Sequence, residues 1–232
     1  MRTSQAIDLR RKIAGVCLIV APVLLLAGDA LRIGADMVYA WHFMGKLAFA
    51  LFVPAILAIV HLLSKRADRM GLLGGGLALV GCLAGASILT ASMVNWSLET
   101  AGFEEPLMRA IEAAMLKGGV RQYVLLYPLP GLAFPVGLLV LSFGLFRVRV
   151  VSPLVAALLA LGAILFPIGR IGGIAAAVIA SDVALSVAMG LIGWRVLRWT
   201  AAEWERVPTS SAETVTMEGE PLAGQVTNAS TG

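Results

Sequence analysis

The sequence predicts an all-α polytopic membrane protein, a six-transmembrane-helix bundle with one short external amphipathic helix and a disordered C-terminal tail. Three observations predict it. Of 232 residues, 59% are hydrophobic and 14% charged, whereas a soluble domain carries about 45–50% apolar and about 25% charged residues. Six apolar stretches reach or approach the roughly 20 residues that a helix needs to cross hydrocarbon. None alternates as a lipid-facing strand does, and helices are the other way to satisfy backbone polar groups in lipid. A soluble enzyme and a disordered scaffold are excluded.

The stretches run near Ile13–Ile33, Phe43–Leu63, Gly71–Asn95, Tyr123–Phe146, Val150–Ile168 and Ile174–Leu197. Residues 1–12 form a basic N-terminus, 13–200 the membrane domain, and 201–232 the tail. Twelve of the 18 Lys and Arg residues fall on one side, among them Arg10, Arg11, Lys12, Lys65, Arg66, Arg69, Arg147, Arg149, Arg195 and Arg198. The positive-inside rule then puts both termini in the cytoplasm, with the plasma membrane as location. The same basic start followed by an apolar run has the outline of a signal peptide, with Gly28-Asp29-Ala30 as a poor cleavage site. The run is long for that, so a first span is expected.

Residues 97–122 make the one long external loop, with an amphipathic helix beginning at Pro106. Glu104 and Glu105 suit its N-terminus, and Lys117 and Gly118 close it. The tail is rich in Ser, Thr, Gly and Glu and poor in large apolar residues, which predicts disorder. Small residues line one face of the third stretch (Gly71, Gly74, Ala78, Gly81, Gly85, Ser92) and of the sixth (Ala177, Ser181, Ala184, Ala188). Such faces let helix backbones approach closely in lipid.

The net charge of +4 comes from residues at the ends of spans, and no basic cluster is interleaved with exposed aromatics, so nucleic acid is not an expected partner. Cys17 and Cys82 differ in membrane depth by about 12 Å, too far for a disulfide. No metal or cofactor is expected. His42 and His61 lie 19 residues apart on one span, about 28 Å along it, and cannot share an ion. His42, beside Tyr39 and Trp41, reads as part of an aromatic interface belt, and His61 as an interfacial residue beside Ser64.

Ionisable residues at membrane depth carry the functional lead. Asp182 lies about 13 Å inside the sixth stretch, where a carboxylate costs about 2.5–3.5 kcal/mol. It must be neutral, paired or facing water. Arg32 and Arg170 are its expected partners, and Asp29, Arg32 and Asp36 have the spacing of a local charge network. The outer half of the fourth stretch reads Tyr127-Pro128-Leu129-Pro130-Gly131, with Pro135 beyond. Each proline frees a carbonyl, and non-helical backbone at this depth must be buried or line a wet cavity.

The expected ligand-binding set is Asp182, Arg32, Asp29, Arg170, Tyr127, Asn95 and His42. The leading function is binding or transport of a small solute or ion through a polar cavity in the outer half. The alternative is a non-catalytic subunit or scaffold of a larger membrane complex. Besides the bilayer, the partners these readings call for are a small solute or ion, further copies of the chain, or other membrane subunits. An intramembrane enzyme is disfavoured, because no nucleophile or metal constellation is visible.

Overall fold

The computed structural model describes residues 2–64, 66–102, 110, 113 and 128–205. All regular structure among them is helical. The long helices are α1 (Arg2–Ala35), α2 (Val38–Leu63), α3 (Asp68–Thr100), α4 (Pro128–Val148), α5 (Pro153–Gly172) and α6 (Ala175–Arg198). A short α7 (Ala201–Glu205) follows. The six long helices are long and apolar enough to cross a membrane. The expected external helix falls almost wholly outside the described residues, as does the tail from 206 onward.

Helix ends differ from the hydropathy boundaries in a consistent way. α1 begins at Arg2, well before Ile13, and α3 runs on to Thr100, into the stretch assigned to the loop. Hydropathy registers only the part of a helix that lies in hydrocarbon, whereas backbone hydrogen bonding continues into water. The fourth helix is described from Pro128 to Val148, with Pro135 inside it, and residues 123–127 lie outside the described residues.

The helices form a closed ring in chain order, each packed on the next, with α6 returning to α1 and a lesser contact of α2 with α4 across the middle. Phe134 fills the centre. Its ring lies 5.1 Å from Phe52, 5.6 Å from Phe49 and 5.2 Å from Phe166, centroid to centroid. The pairs with Phe49 and Phe52 are edge-on, the favoured aromatic geometry. Large apolar side chains such as Phe43, Leu72, Leu83, Leu154 and Ile171 are exposed on the outside, as a lipid-facing surface requires.

Small residues set the helix spacing. A Cβ on Gly81 would stand 2.1 Å from the Phe134 nitrogen, and one on Gly137 would stand 2.3 Å from the Ala78 nitrogen. α3 and α4 therefore touch backbone to backbone. The small-residue face of α3 serves two neighbours, since Gly71 meets α2 at Val60 and Leu63 while Gly74 meets α4 at Gly137 and Leu141. On α6, the Ser181 hydroxyl donates to the Gly162 carbonyl of α5 at 2.9 Å. Gly173 closes α5 in the left-handed conformation at φ 68°, its N–H donating to the Gly169 carbonyl.

At the end holding the N-terminus of α1, Arg11 is buried and caps α6 from a neighbouring helix. Its Nη1 donates to the carbonyls of Val196 at 3.0 Å and Leu197 at 2.7 Å, and its Nη2 to Asp8 at 2.5 Å. Cationic donors on C-terminal carbonyls satisfy orphan acceptors and oppose the helix dipole. Arg11→Met is expected to cost about 1.5–3 kcal/mol, measured as a lower thermal midpoint of the purified chain in detergent. An unchanged midpoint would mean that water serves those carbonyls equally well.

The start of the tail differs from expectation. Thr200 and Glu203 form a reciprocal cap, with the Thr200 N–H donating to the Glu203 carboxylate at 2.6 Å and the Glu203 N–H to the Thr200 hydroxyl at 3.2 Å. The Thr200 N–H, and after it the Thr200 hydroxyl, hold the Glu203 carboxyl below its ordinary range. The cap starts α7, which buries Trp204. His61 stacks on that indole at 4.4 Å and its Nε2 lies 3.1 Å from the Trp204 carbonyl. An apolar anchor and a cap thus order residues 201–205, which composition alone assigned to the disordered tail.

Candidate functional site

Three helices bring their charges together at the opposite end of the ring. Arg170 stands in the last turn of α5, and the tight turn at Gly173 folds α6 back so that Asp182 lies beside it. Nη2 of Arg170 donates to Asp182 Oδ1 at 3.0 Å and Oδ2 at 3.3 Å, and also to Oδ2 of Asp29 on α1. The Asp182 side chain is fully buried and that of Asp29 is 5% exposed, while Arg170 is 25% exposed. The guanidinium lies 4.0 Å over the Phe166 ring, which joins the cluster to the aromatic centre.

A carboxylate in hydrocarbon survives only when paired and hydrogen-bonded, and both conditions are met here. Asp29 takes a second bond on Oδ1, from Trp41 Nε1 of α2 at 2.7 Å. The cluster nevertheless sets two carboxylates against one guanidinium. Two buried polar atoms near it lack a hydrogen-bond partner among the described residues, Arg170 Nη1 and Ser186 Oγ. Ser186 follows Asp182 by four positions and shares its helix face.

A second polar pair sits one residue from Trp41. His42 is 1% exposed. Its Nδ1 is 2.8 Å from the Val38 carbonyl and its Nε2 is 3.1 Å from the Ser92 hydroxyl of α3. A carbonyl can only accept, so Nδ1 carries the hydrogen toward Val38, and in the neutral ring Nε2 accepts from Ser92. The expected belt position is corrected: His42 is a buried link between α2 and α3, because its ring has a partner on each side.

The sequence-derived set therefore divides. Asp29, Arg170 and Asp182 converge, and His42 lies alongside through its neighbour Trp41. Arg32 does not join the carboxylates. It is exposed and lies 4.1 Å over the Trp41 ring, so the expected network of Asp29, Arg32 and Asp36 does not form. Asp29 instead points across the ring to Arg170. Asn95 is exposed on α3, apart from the cluster, and Tyr127 lies outside the described residues. Sequence reasoning passed over Trp41 as a donor and Ser186 as a buried hydroxyl, and read Ser92 as a packing residue where it is a polar contact of His42. Ser186 carried a usable signal, its i+4 spacing from Asp182.

Two grooves are defined on the flanks of the bundle, and neither is lined by the charge cluster. One of about 260 Å³ lies between α2 and α3, and one of about 310 Å³ between α4 and α5. Among the described residues no group of three or more His, Cys, Asp or Glu could hold a metal ion. Cys17 and Cys82 are free and buried.

Fold and composition together define the class: an all-helical, multi-pass integral membrane protein, with a buried acid–arginine–acid cluster joining three of its helices. No model of a known family, no curated protein and no solved structure matches the chain.

Proposed function

We propose that this chain binds a small monovalent cation, or the equivalent proton, at Asp29, Arg170 and Asp182, and carries it as a membrane transport protein or channel-like module. One observation carries the reading: two almost fully buried carboxylates converge on a single guanidinium. Such a cluster is one positive charge short, and burial in a low-dielectric interior makes that imbalance expensive. A cation on Asp182 would supply the missing charge, and Ser186 Oγ supplies an oxygen one turn away. Intramembrane acids that face a bundle interior mark ion and proton pathways. Access from the aqueous end would be by way of Arg170, the most exposed member of the three.

The test is the unfolding midpoint of the purified full chain in choline chloride, with sodium or potassium substituted at fixed ionic strength. A ligand at a hundred times its Kd stabilises by about 2.7 kcal/mol. The expected result is a midpoint that rises with one of these cations or with falling pH, and a response that Asp182→Asn abolishes while remaining monodisperse. A wild-type midpoint indifferent to sodium, potassium and pH would sink the proposal.

A second reading, a non-catalytic subunit or scaffold, is favoured by the phenylalanine centre. Phe52 and Phe134 are almost fully buried and fill the ring where a path would run, so transport requires that they move. On this reading the cluster is a clamp between α1, α5 and α6. Polypeptides co-purifying in fixed ratio from the native membrane would support it.

A further inference from the structure

We propose that the groove between α2 and α3 is a binding site for an acidic phospholipid, whose phosphate pairs with Lys46. The groove is lined by Lys46, Thr90, Met93, Val94, Ser97 and Leu98 and holds about 260 Å³. Lys46 lies two turns inside α2, a helix apolar enough to span. Its ammonium makes one contact, to the Met93 sulfur at 3.2 Å, and no ion pair among the described residues. A thioether is a weak acceptor, so a full positive charge stands in an otherwise uncharged groove. The hydroxyls of Thr90 and Ser97 are spent on carbonyls of their own helix, Ala86 at 2.9 Å and Met93 at 2.8 Å. No carboxylate among the described residues pairs with Lys46, and an anion from the surrounding bilayer would supply the missing partner.

The height of the groove selects the lipid as its source. Tyr39 of α2 and Trp96 of α3 approach to 6.4 Å, and His42 and Trp96 to 6.5 Å, with His42 and Trp96 about one turn and Tyr39 about two turns from Lys46 and Met93. Tyr and Trp sit at headgroup level in membrane proteins. Side chains on a helix lean toward its N-terminus, and the N-terminus of α2 is at this end. The Lys46 stem therefore runs up toward the phosphate layer, as a snorkelling lysine does. Val94 and Leu98 offer apolar wall to the adjoining acyl chain. This site is separate from the Asp29–Arg170–Asp182 cluster, and its test does not depend on that reading.

The experiment is native mass spectrometry of the full chain from nanodiscs holding equal amounts of phosphatidylglycerol and phosphatidylcholine. One retained phosphatidylglycerol is expected, preferred by about fivefold, as one lysine near an anionic phosphate gives. Lys46→Gln should remove the preference and Lys46→Arg should keep it, while Lys12→Gln, exposed at the other end, changes nothing. Should Lys46→Gln fail to fold, Val94→Trp fills the groove without touching the charge and must also remove the preference. Equal retention of both lipids, or a preference that survives both variants, overturns the proposal. Displacement of the retained lipid by inorganic phosphate alone would overturn the lipid assignment too.

Discussion

Gly81→Val is expected to abolish recovery of monodisperse protein in mild detergent. The Cβ it introduces would meet the backbone of α4, 2.1 Å from the Phe134 nitrogen and 2.4 Å from its Cα. A side chain in the way can change rotamer, but backbone cannot. α4 would have to retreat as a unit, and Phe134 is the residue on which Phe49, Phe52 and Phe166 pack. Overpacking a core costs about 1–3 kcal/mol when side chains can adjust, and this site lies above that range because a helix must move. Gly76→Val on the same helix is the control. Nothing lies within 4 Å of a Cβ there, so its effect should stay within about 0.5 kcal/mol. Equal recovery and equal thermal midpoints for the two variants would contradict the close crossing of α3 and α4.

The same glycines show how far the sequence could be read. A stripe of small residues on the third span announces close packing but not the partner. Gly71 and Gly74 are three positions apart, yet one meets α2 and the other α4, because a ring gives each helix two neighbours. The six spans were legible because hydrocarbon imposes a length and composition that nothing else in the chain imitates. Their ends were not, since polar helix turns outside the membrane look like loop by hydropathy. Asp182 and Arg170 were legible as partners through the cost of a lone buried charge. Arg32 was the wrong second partner for a geometric reason: nearness along one helix surface suggested a local network, whereas Asp29 faces inward and Arg32 outward. Trp204 was hidden because five ordered residues at the head of a polar tail carry almost no compositional weight.

The two ends of the bundle use their charges in different ways, and this bears on what each can do. Arg11 serves carbonyls at the end of α6, which are partial charges that no titration removes. Arg195 does the same for the Val150 carbonyl at 2.8 Å, tying α6 to the α4–α5 turn. These contacts satisfy carbonyls at a helix end and in a turn. The cluster at the other end instead sets full charges against each other across three helices. There gain of a proton or cation changes the force between three of the long helices, which is why the proposed binding site belongs at that end.

Arg170→Met is expected to destabilise the chain by about 3–5 kcal/mol, the cost of removing one partner from a buried ionic pair. Both Asp29 and Asp182 would lose the guanidinium that serves them, and two nearly fully buried carboxylates would face each other. Trp41 would still bond Asp29, but a neutral indole cannot replace the lost charge. Packing is a smaller part of the effect, since methionine covers Phe166 almost as well as the arginine stem does. The triple variant Asp29→Asn, Arg170→Met, Asp182→Asn separates these contributions. With the carboxylates neutralised there is no stranded charge, and apolar replacement of a buried ionic group is often neutral or stabilising, so the triple variant should recover most of the lost stability. Thermal unfolding of the three proteins in one detergent measures it. A triple variant as unstable as Arg170→Met would mean that shape, not charge balance, holds α1, α5 and α6 together. A recovered triple variant has a further use: it has the fold without the charges, so any cation response left in it must arise elsewhere in the chain.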